Sequence, residues 1–235
     1  SPSIEIPWTY EQDFNGLEDG NIVGQDSWAK DSGSSTFNVG NYTPFEGGKC
    51  LKATPPSSIY IYRPVDACHS GTFYFSVKFS DGSGYPFDFW ISGDSKSYAE
   101  VFVQEGTLWI YDNTPDVGNT DLGIPMSDDE WYAIGVDFDI YTNRYRVNID
   151  NGLWSDWIVL ANGTPDAITS ISFAQPTASS DVYFDTISTT YVSETSFSPS
   201  ISPSQSPSVS ESPSLSPSLS PSLSPSVSPS QSPSV

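Results

Sequence analysis

Several groups of residues have the types and spacing that chemistry needs. Asp137-Phe138-Asp139 puts two carboxylates at alternate positions of a β-patterned run, so Val136, Phe138 and Ile140 face one side and both Asp side chains the other. Paired carboxylates on one face are the apparatus of glycoside hydrolysis. The plainer reading, a solvated strand face ahead of a hairpin, is preferred for a chain this acidic. His69, the only histidine, follows Cys68 in a loop-like stretch, so a Ser-His-Asp or Cys-His mechanism would rest on it alone. The expectation is that the chain is not an enzyme.

The third group is aromatic. Aligning the central runs by their period of two places Phe87, Phe89, Ile91, Val101, Val103, Leu108 and Ile110 on one side as an apolar layer. The other side carries Asp88, Trp90, Ser92, Tyr98, Glu100, Phe102, Gln104, Trp109 and Tyr111. Flat rings beside hydrogen-bonding groups match the apolar C–H patches and hydroxyl fringe of a sugar, so Trp90, Tyr98, Glu100, Gln104, Trp109 and Tyr111 are the candidate glycan- or partner-binding set. Cover by loops or by another subunit is the competing reading. Trp154 and Trp157, three apart, fall on opposite faces of an extended segment, with at least one expected in the core.

Cys50 and Cys68 are the only cysteines and flank 17 residues rich in Pro and Ser. On neighbouring strands they would form a disulfide contributing about 3 kcal/mol in the chain-entropy model. Asn41-Tyr42-Thr43 and Asn162-Gly163-Thr164 match the N-glycosylation triplet.

The elements that must position these residues read as strands. Gly, Pro, Asn-Gly and Asp-Gly recur through the first 195 residues, separated by β-branched and aromatic runs of period two. The clearest runs are 72–79, 86–92, 98–104, 107–112, 131–140, 144–149 and 182–188. Gln104-Glu105-Gly106-Thr107 predicts a tight hairpin, and Tyr141-Thr142-Asn143 a second. The fold class is therefore all-β, a two-sheet antiparallel sandwich over residues 1–195.

Charge narrows the partners. The 235 residues carry 29 acidic and 8 basic side chains, a net charge of -21. Such a chain repels phosphate backbones and anionic lipid, so neither nucleic acid nor a membrane surface is an expected partner. No apolar run approaches the roughly 18 residues of a spanning helix. The chain starts at Ser1 without a leader and reads as one whose targeting signal has been removed.

At the level of motifs, DFNGLEDGNIVGQDSW (13–28), GTFYFSVKF (71–79), DEWYAIGVDFDIYTNRYRVNIDNG (129–152) and VYFDTIS (182–188) resemble the concanavalin A-like lectin/glucanase sandwich in its LamG-like form. The resemblance implies a jelly roll that hosts lectins, carbohydrate-binding modules, glycanases and adhesion domains alike. The Glu-x-Asp-x-x-Glu pattern of its glycanases is absent. The resemblance also implies a structural Ca2+ near the terminal strands, held by Glu11, Asp13 and Asp185.

Residues 196–235 form a Ser-Pro tail. Nine Ser-Pro-Ser units run from Ser198 to Ser234, each followed by a variable residue that is Leu, Val or Ile in seven of the nine. Proline at every fourth position blocks helix and ladder alike, so an extended polyproline-II-like strand of roughly 118 Å is expected at about 3.1 Å per residue. Such segments are O-glycosylation substrates, with Ser198, Ser200, Ser202, Ser204, Ser206, Ser208, Ser212, Ser214, Ser216 and Ser218 the expected sites. Together these features predict a secreted, non-catalytic surface protein. It would self-associate as the structural subunit of an extracellular glycosylated fibre or coat, or act as a lectin-like module on a Ser-Pro stalk.

Overall fold

Alternation along the strands decides which residues meet. In the run from Ser70 to Phe79, Phe73, Phe75, Val77 and Phe79 point to one side and are buried, while Thr72 and Tyr74 on the other side are half-exposed. The runs 107–112 and 118–125 alternate in the same way, and the strands assemble into two sheets. A computed structural model describes residues 11–32, 36–54, 59–94, 96–113, 118–176 and 180–189. The expected tail conformation and the ten serine sites lie outside the described residues.

In chain order the strands are β1 (Glu11–Gln12), β2 (Gly20–Asn21), β3 (Ala29–Ser32), β4 (Thr36–Gly40), β5 (Cys50–Thr54), β6 (Ile59–Cys68), β7 (Ser70–Phe79) and β8 (Asp88–Gly93). They continue as β9 (Lys96–Gln104), β10 (Thr107–Asp112), β11 (Gly118–Pro125), β12 (Tyr132–Asp139), β13 (Arg144–Ile149), β14 (Ile158–Val159), β15 (Ile168–Gln175) and β16 (Val182–Ser188). One nine-stranded sheet has the order β14-β13-β12-β7-β16-β5-β4-β2, with β1 pairing β16. A seven-stranded sheet has the order β11-β10-β9-β8-β15-β6-β3. All pairings are antiparallel, and the described residues contain no helix. The described residues form an all-β jelly-roll sandwich of two antiparallel sheets.

Both expected hairpins form. Gln104 pairs with Thr107, and the two turn residues Glu105 and Gly106 have φ of 51° and 74°, the left-handed pair that a two-residue turn between twisted strands demands. Asp139 pairs with Arg144, and Asn143 takes φ 54°. Between the sheets, Phe75 of β7 and Phe184 of β16 interlock with Phe89 of β8 and Phe173 of β15, with ring centroids 4.5 Å apart for Phe75–Phe89 and for Phe173–Phe184. Each such side chain contributes about 1.5–3 kcal/mol of burial.

The expected Cys50–Cys68 disulfide is corrected by this topology. β5 and β6 follow one another in sequence but lie in opposite sheets. Cys50 sits opposite Gly40 in the nine-stranded sheet, one position out of phase with the core residues Leu51 and Ala53. Burial, and then the charge of Asp185, push its thiol up to about 12. Cys68 pairs with Ile168 in the seven-stranded sheet, where its sulfur donates to the Ile168 carbonyl at 3.8 Å. Both side chains are buried thiols. In denaturant without reductant, both cysteines should be alkylated, and a non-reducing peptide map should contain no Cys50–Cys68 fragment. Recovery of that cross-linked fragment would show the two strands to be neighbours, contrary to the topology above.

Candidate functional site

The outer face of the seven-stranded sheet owes its shape to β15. The outward residues of this strand are small: Ser172 lies between Tyr62 of β6 and Trp90 of β8, and Ala174 between Tyr60 and Asp88. Small residues between large ones leave a trough. Above it the rings of Tyr60 and Trp90 stack, with centroids 5.0 Å apart and planes 18° from parallel. A groove of about 840 Å³ opens here, walled by Tyr60, Tyr62, Pro64 and Trp90 and fringed by Ser92, Lys96, Ser97, Thr169, Ser170 and Ser172. Its chemistry is that of flat apolar rings beside a row of hydroxyls.

Behind Trp90 stands a cluster of acids. Trp90 and Glu100 are direct cross-strand partners on this face. Burial raises Glu100, and the neighbouring Trp90 is the first influence opposing it. Asp88 is 2% exposed and roofed by Tyr85, whose hydroxyl donates to Asp88 Oδ2 at 2.6 Å and lies 3.4 Å from Glu100 Oε1. Burial, followed by the charge of Glu100, holds Asp88 well above the usual carboxylate range.

Of the expected binding set, Trp90 lines the groove, and Glu100 is its cross-strand neighbour outside that lining. Trp109 and Tyr111 stand half-buried further along the same face, on β10. Trp109 stacks on Phe102 at 6.3 Å and donates its N–H to Thr107 Oγ1 at 2.8 Å and to the Gln104 carbonyl at 3.1 Å. Gln104 thus serves the ring through its backbone. Tyr98 is a correction: it is 3% exposed and belongs to the core. The register of β8 and β9 slips there, with Ile91 opposite Ala99 but Ser92 opposite Ser97, so Tyr98 is the extra residue of a bulge and loses the outward direction that strict alternation gives it.

The other candidates are structural. Asp137 and Asp139 lie on the outer face of the nine-stranded sheet, away from the groove. Arg146 pairs with Asp137 at 2.8 Å, while Asp139 accepts from the Tyr141 amide at 3.0 Å and from the Thr142 hydroxyl at 2.6 Å. His69 stacks on Tyr141 at 5.3 Å. Neither Trp154 nor Trp157 is in the core, contrary to expectation, because residues 151–157 are not extended strand. Both rings lie against the Arg146 guanidinium, at 4.9 and 4.5 Å.

Asn41 and Asn162 are exposed, and Asn162 also donates from Nδ2 to the Ser97 carbonyl at 2.7 Å. Glu11, Asp13 and Asp185 do not assemble as a Ca2+ ligand set, and no group of three or more His, Cys, Asp or Glu among the described residues does. Asp13 accepts from Asn15, through its amide and its side chain, and Asp185 accepts from the amides of Glu46 at 3.0 Å and Thr186 at 2.8 Å.

Sequence reading missed Tyr60, Tyr62 and the β15 hydroxyls. Their signal was present as alternation, in Ile59-Tyr60-Ile61-Tyr62 and in Ile168-Thr169-Ser170-Ile171-Ser172-Phe173. What it lacked was the pairing of β6 with β15, which joins residues more than 100 positions apart.

No protein-family model and no curated protein sequence matches the chain. Similarity is found among solved structures. A sialidase is 11% identical with a TM-score of 0.62, covering 79% of this chain, which spans only 18% of that protein's length. An endo-β-1,4-glucuronan lyase from the fungus Trichoderma reesei is 14% identical with a TM-score of 0.51, over 77% of this chain and 94% of its own. A mixed-linkage glucan GH16 protein of Bacteroides ovatus is 13% identical with a TM-score of 0.51, over 76% and 98%. At these identities the likeness is one of fold.

The buried carboxyls make stability depend on pH. Burial raises Asp185 from 3.8 to about 8, against the two amide donors. Because the folded protein holds this proton more tightly than the unfolded chain, its stabilisation is complete below the unfolded value of 3.8 and is lost as the pH climbs toward 8. Asp88 acts in the same direction. The melting temperature should therefore fall between pH 5 and pH 8 in low salt, and Asp185→Asn should flatten part of that fall. An identical slope in the variant would assign the pH response elsewhere.

Proposed function

We propose that this chain is a non-catalytic, lectin-like carbohydrate-binding domain whose ligand lies in the groove over β15. The observation that carries the reading is the stacked Tyr60–Trp90 wall beside the hydroxyls of Ser92, Ser97, Ser170 and Ser172. A pyranose presents complementary surfaces, an apolar C–H face to the rings and equatorial hydroxyls to the fringe. Support comes from fold neighbours whose names refer to glucuronan and mixed-linkage glucan.

Those neighbours include enzymes, and the acids here argue for binding instead. Asp88 is sealed beneath Tyr85, and the Asp137 and Asp139 carboxylates are engaged on the opposite sheet. Extracellular placement belongs to the same proposal, supported by the exposed asparagines of both glycosylation triplets. No helix among the described residues is long and apolar enough to cross a membrane.

A glycan array followed by calorimetric titration of a soluble mixed-linkage β-glucan tests the site. Trp90→Ala and Tyr60→Ala should each weaken binding on the order of tenfold, the worth of a lost stacking face. No reducing sugar should be released. Absence of any glycan ligand, or unchanged affinity in Trp90→Ala, overturns the assignment.

The structural-subunit role expected from the sequence is a second reading, favoured by one feature. Leu153 is 97% exposed beside Trp157, itself 37% exposed, an apolar patch suited to a second copy of the chain. Sedimentation should then show concentration-dependent association that Leu153→Asp abolishes; a wild-type monomer at all concentrations overturns it.

A further inference from the structure

We propose that Lys96 decides which class of glycan the groove takes: one carrying an anionic group, carboxylate or sulfate ester, that seats at Lys96 while a neighbouring sugar ring lies against Tyr60 and Trp90. The proposal rests on the groove being the carbohydrate site and names the sugar chemistry that the site prefers.

The chain has 29 acidic and 8 basic side chains, so a surface of average composition presents carboxylates. The groove presents none. Lys96 is the one charged residue among the described residues that line it, and the rest are aromatic, aliphatic, proline or hydroxyl side chains. Six of the other seven basic residues are engaged by the protein itself. Lys49, Lys52, Arg63 and Arg146 pair with Asp19, Asp181, Asp26 and Asp137 at 2.7 to 3.1 Å. Lys78 donates to the Thr43 hydroxyl, and Arg144 lies against the Trp157 ring. Lys96 is exposed and, among the described residues, has no ion pair and no hydrogen-bond partner. The acid nearest to it in sequence, Asp94, is directed elsewhere and accepts from the Asp166 amide at 3.2 Å.

The register places this cation at one end of the trough. Across the sheet, Tyr62, Ser172 and Trp90 form one row, with Glu100 beyond Trp90. Two residues along, roughly 7 Å away at the rise of a strand, Pro64, Ser170, Ser92 and Ser97 form the next row. Lys96 follows Ser97 and stands opposite Gly93, where β8 turns into β9. A sugar on the Tyr60–Trp90 wall therefore sets the next unit of its chain over the hydroxyl row, and the four-carbon stem of a lysine reaches the substituents of that unit. The carboxyls of Asp88 and Glu100 lie in the other direction, so the anionic end of a ligand is turned toward Lys96.

The backbone that carries Lys96 is held. A Cβ at Gly93 would collide with the Ala167 carbonyl oxygen, so the segment before β15 packs directly on the hairpin. The Tyr98 carbonyl accepts from the Ala161 amide and the Ser97 carbonyl from Asn162 Nδ2, each at 2.7 Å. A fixed backbone under a free ammonium limits the ordering that binding requires. The net charge of -21 repels anions at long range, but at 0.15 M salt fields are screened beyond about 8 Å. The local cation then decides.

The test is calorimetric titration in 0.15 M salt with three forms of one polymer: soluble mixed-linkage β-glucan, the same glucan oxidised at C6 to the uronate, and the same glucan sulfated at C6. Wild type should bind the oxidised form roughly fivefold more tightly than the neutral one, the effect of a partly exposed ion pair. Lys96→Gln should remove that preference by weakening only the anionic forms, Lys96→Arg should keep it, and Lys96→Glu should reverse it. Sulfated glucan held as tightly as the uronate identifies charge alone as the feature read, and a weaker hold identifies the carboxylate; either upholds the role of Lys96. Equal affinity for neutral and oxidised glucan in wild type, or a preference that survives Lys96→Gln, overturns the proposal and leaves the groove as a site for neutral sugars. Binding of none of the three polymers overturns the groove's assignment and the proposal with it.

Discussion

The interlock of Phe75 and Phe184 with Phe89 and Phe173 fixes everything outside it. These four rings come from the central strands of the two sheets, β7 and β16 on one side and β8 and β15 on the other, and none can turn away without exposing a large apolar surface. Because side chains alternate along a strand, setting Phe89 and Phe173 inward sets Trp90 and Ser172 outward. The groove is thus the reverse side of the core. A slip of one residue in either strand would bury Ser172 and turn a phenylalanine to water, so the core that holds the sheets together also fixes where the rings and hydroxyls of the groove stand.

The two outer faces diverge in how they treat charge. Four of the eight basic residues gather on the nine-stranded sheet. Lys52 and Lys78 alternate with Tyr42, Tyr183 and Trp131, and Arg144 and Arg146 lie against Trp154 and Trp157, at ring distances from 4.2 to 5.5 Å. Their partners are close at hand, Asp181 for Lys52, Thr43 for Lys78 and Asp137 for Arg146. This face is closed by its own side chains. On the seven-stranded sheet the small residues of β15 leave aromatic surface uncovered, and that asymmetry makes one sheet a wall and the other a platform.

A chain with this much acid must place some of it in dry surroundings, and the solutions differ. Asp137 and Asp139 stay near the surface, paired with a guanidinium or spent on a turn. Asp185 and Asp88 are buried and pushed upward by burial, the first soothed by two backbone amides and the second by a tyrosine hydroxyl. None of these four carboxyls lines the groove over β15.

What the sequence determined by itself was local. Period-two runs placed β7, β8, β10, β13 and β16 within a residue or two, Glu105-Gly106 announced a hairpin through its backbone demands, and the inward set from Phe87 to Ile110 is the core set found. These follow from alternation and turn chemistry, which act over a few residues. Tertiary structure decided what depended on distant partners. The pairing of β6 with β15 created the groove, a single extra residue in β9 drew Tyr98 inward, and the assignment of β5 and β6 to opposite sheets kept the cysteines apart. Strand order and bulges are settled by how two whole sheets pack, and no short stretch of sequence carries that information.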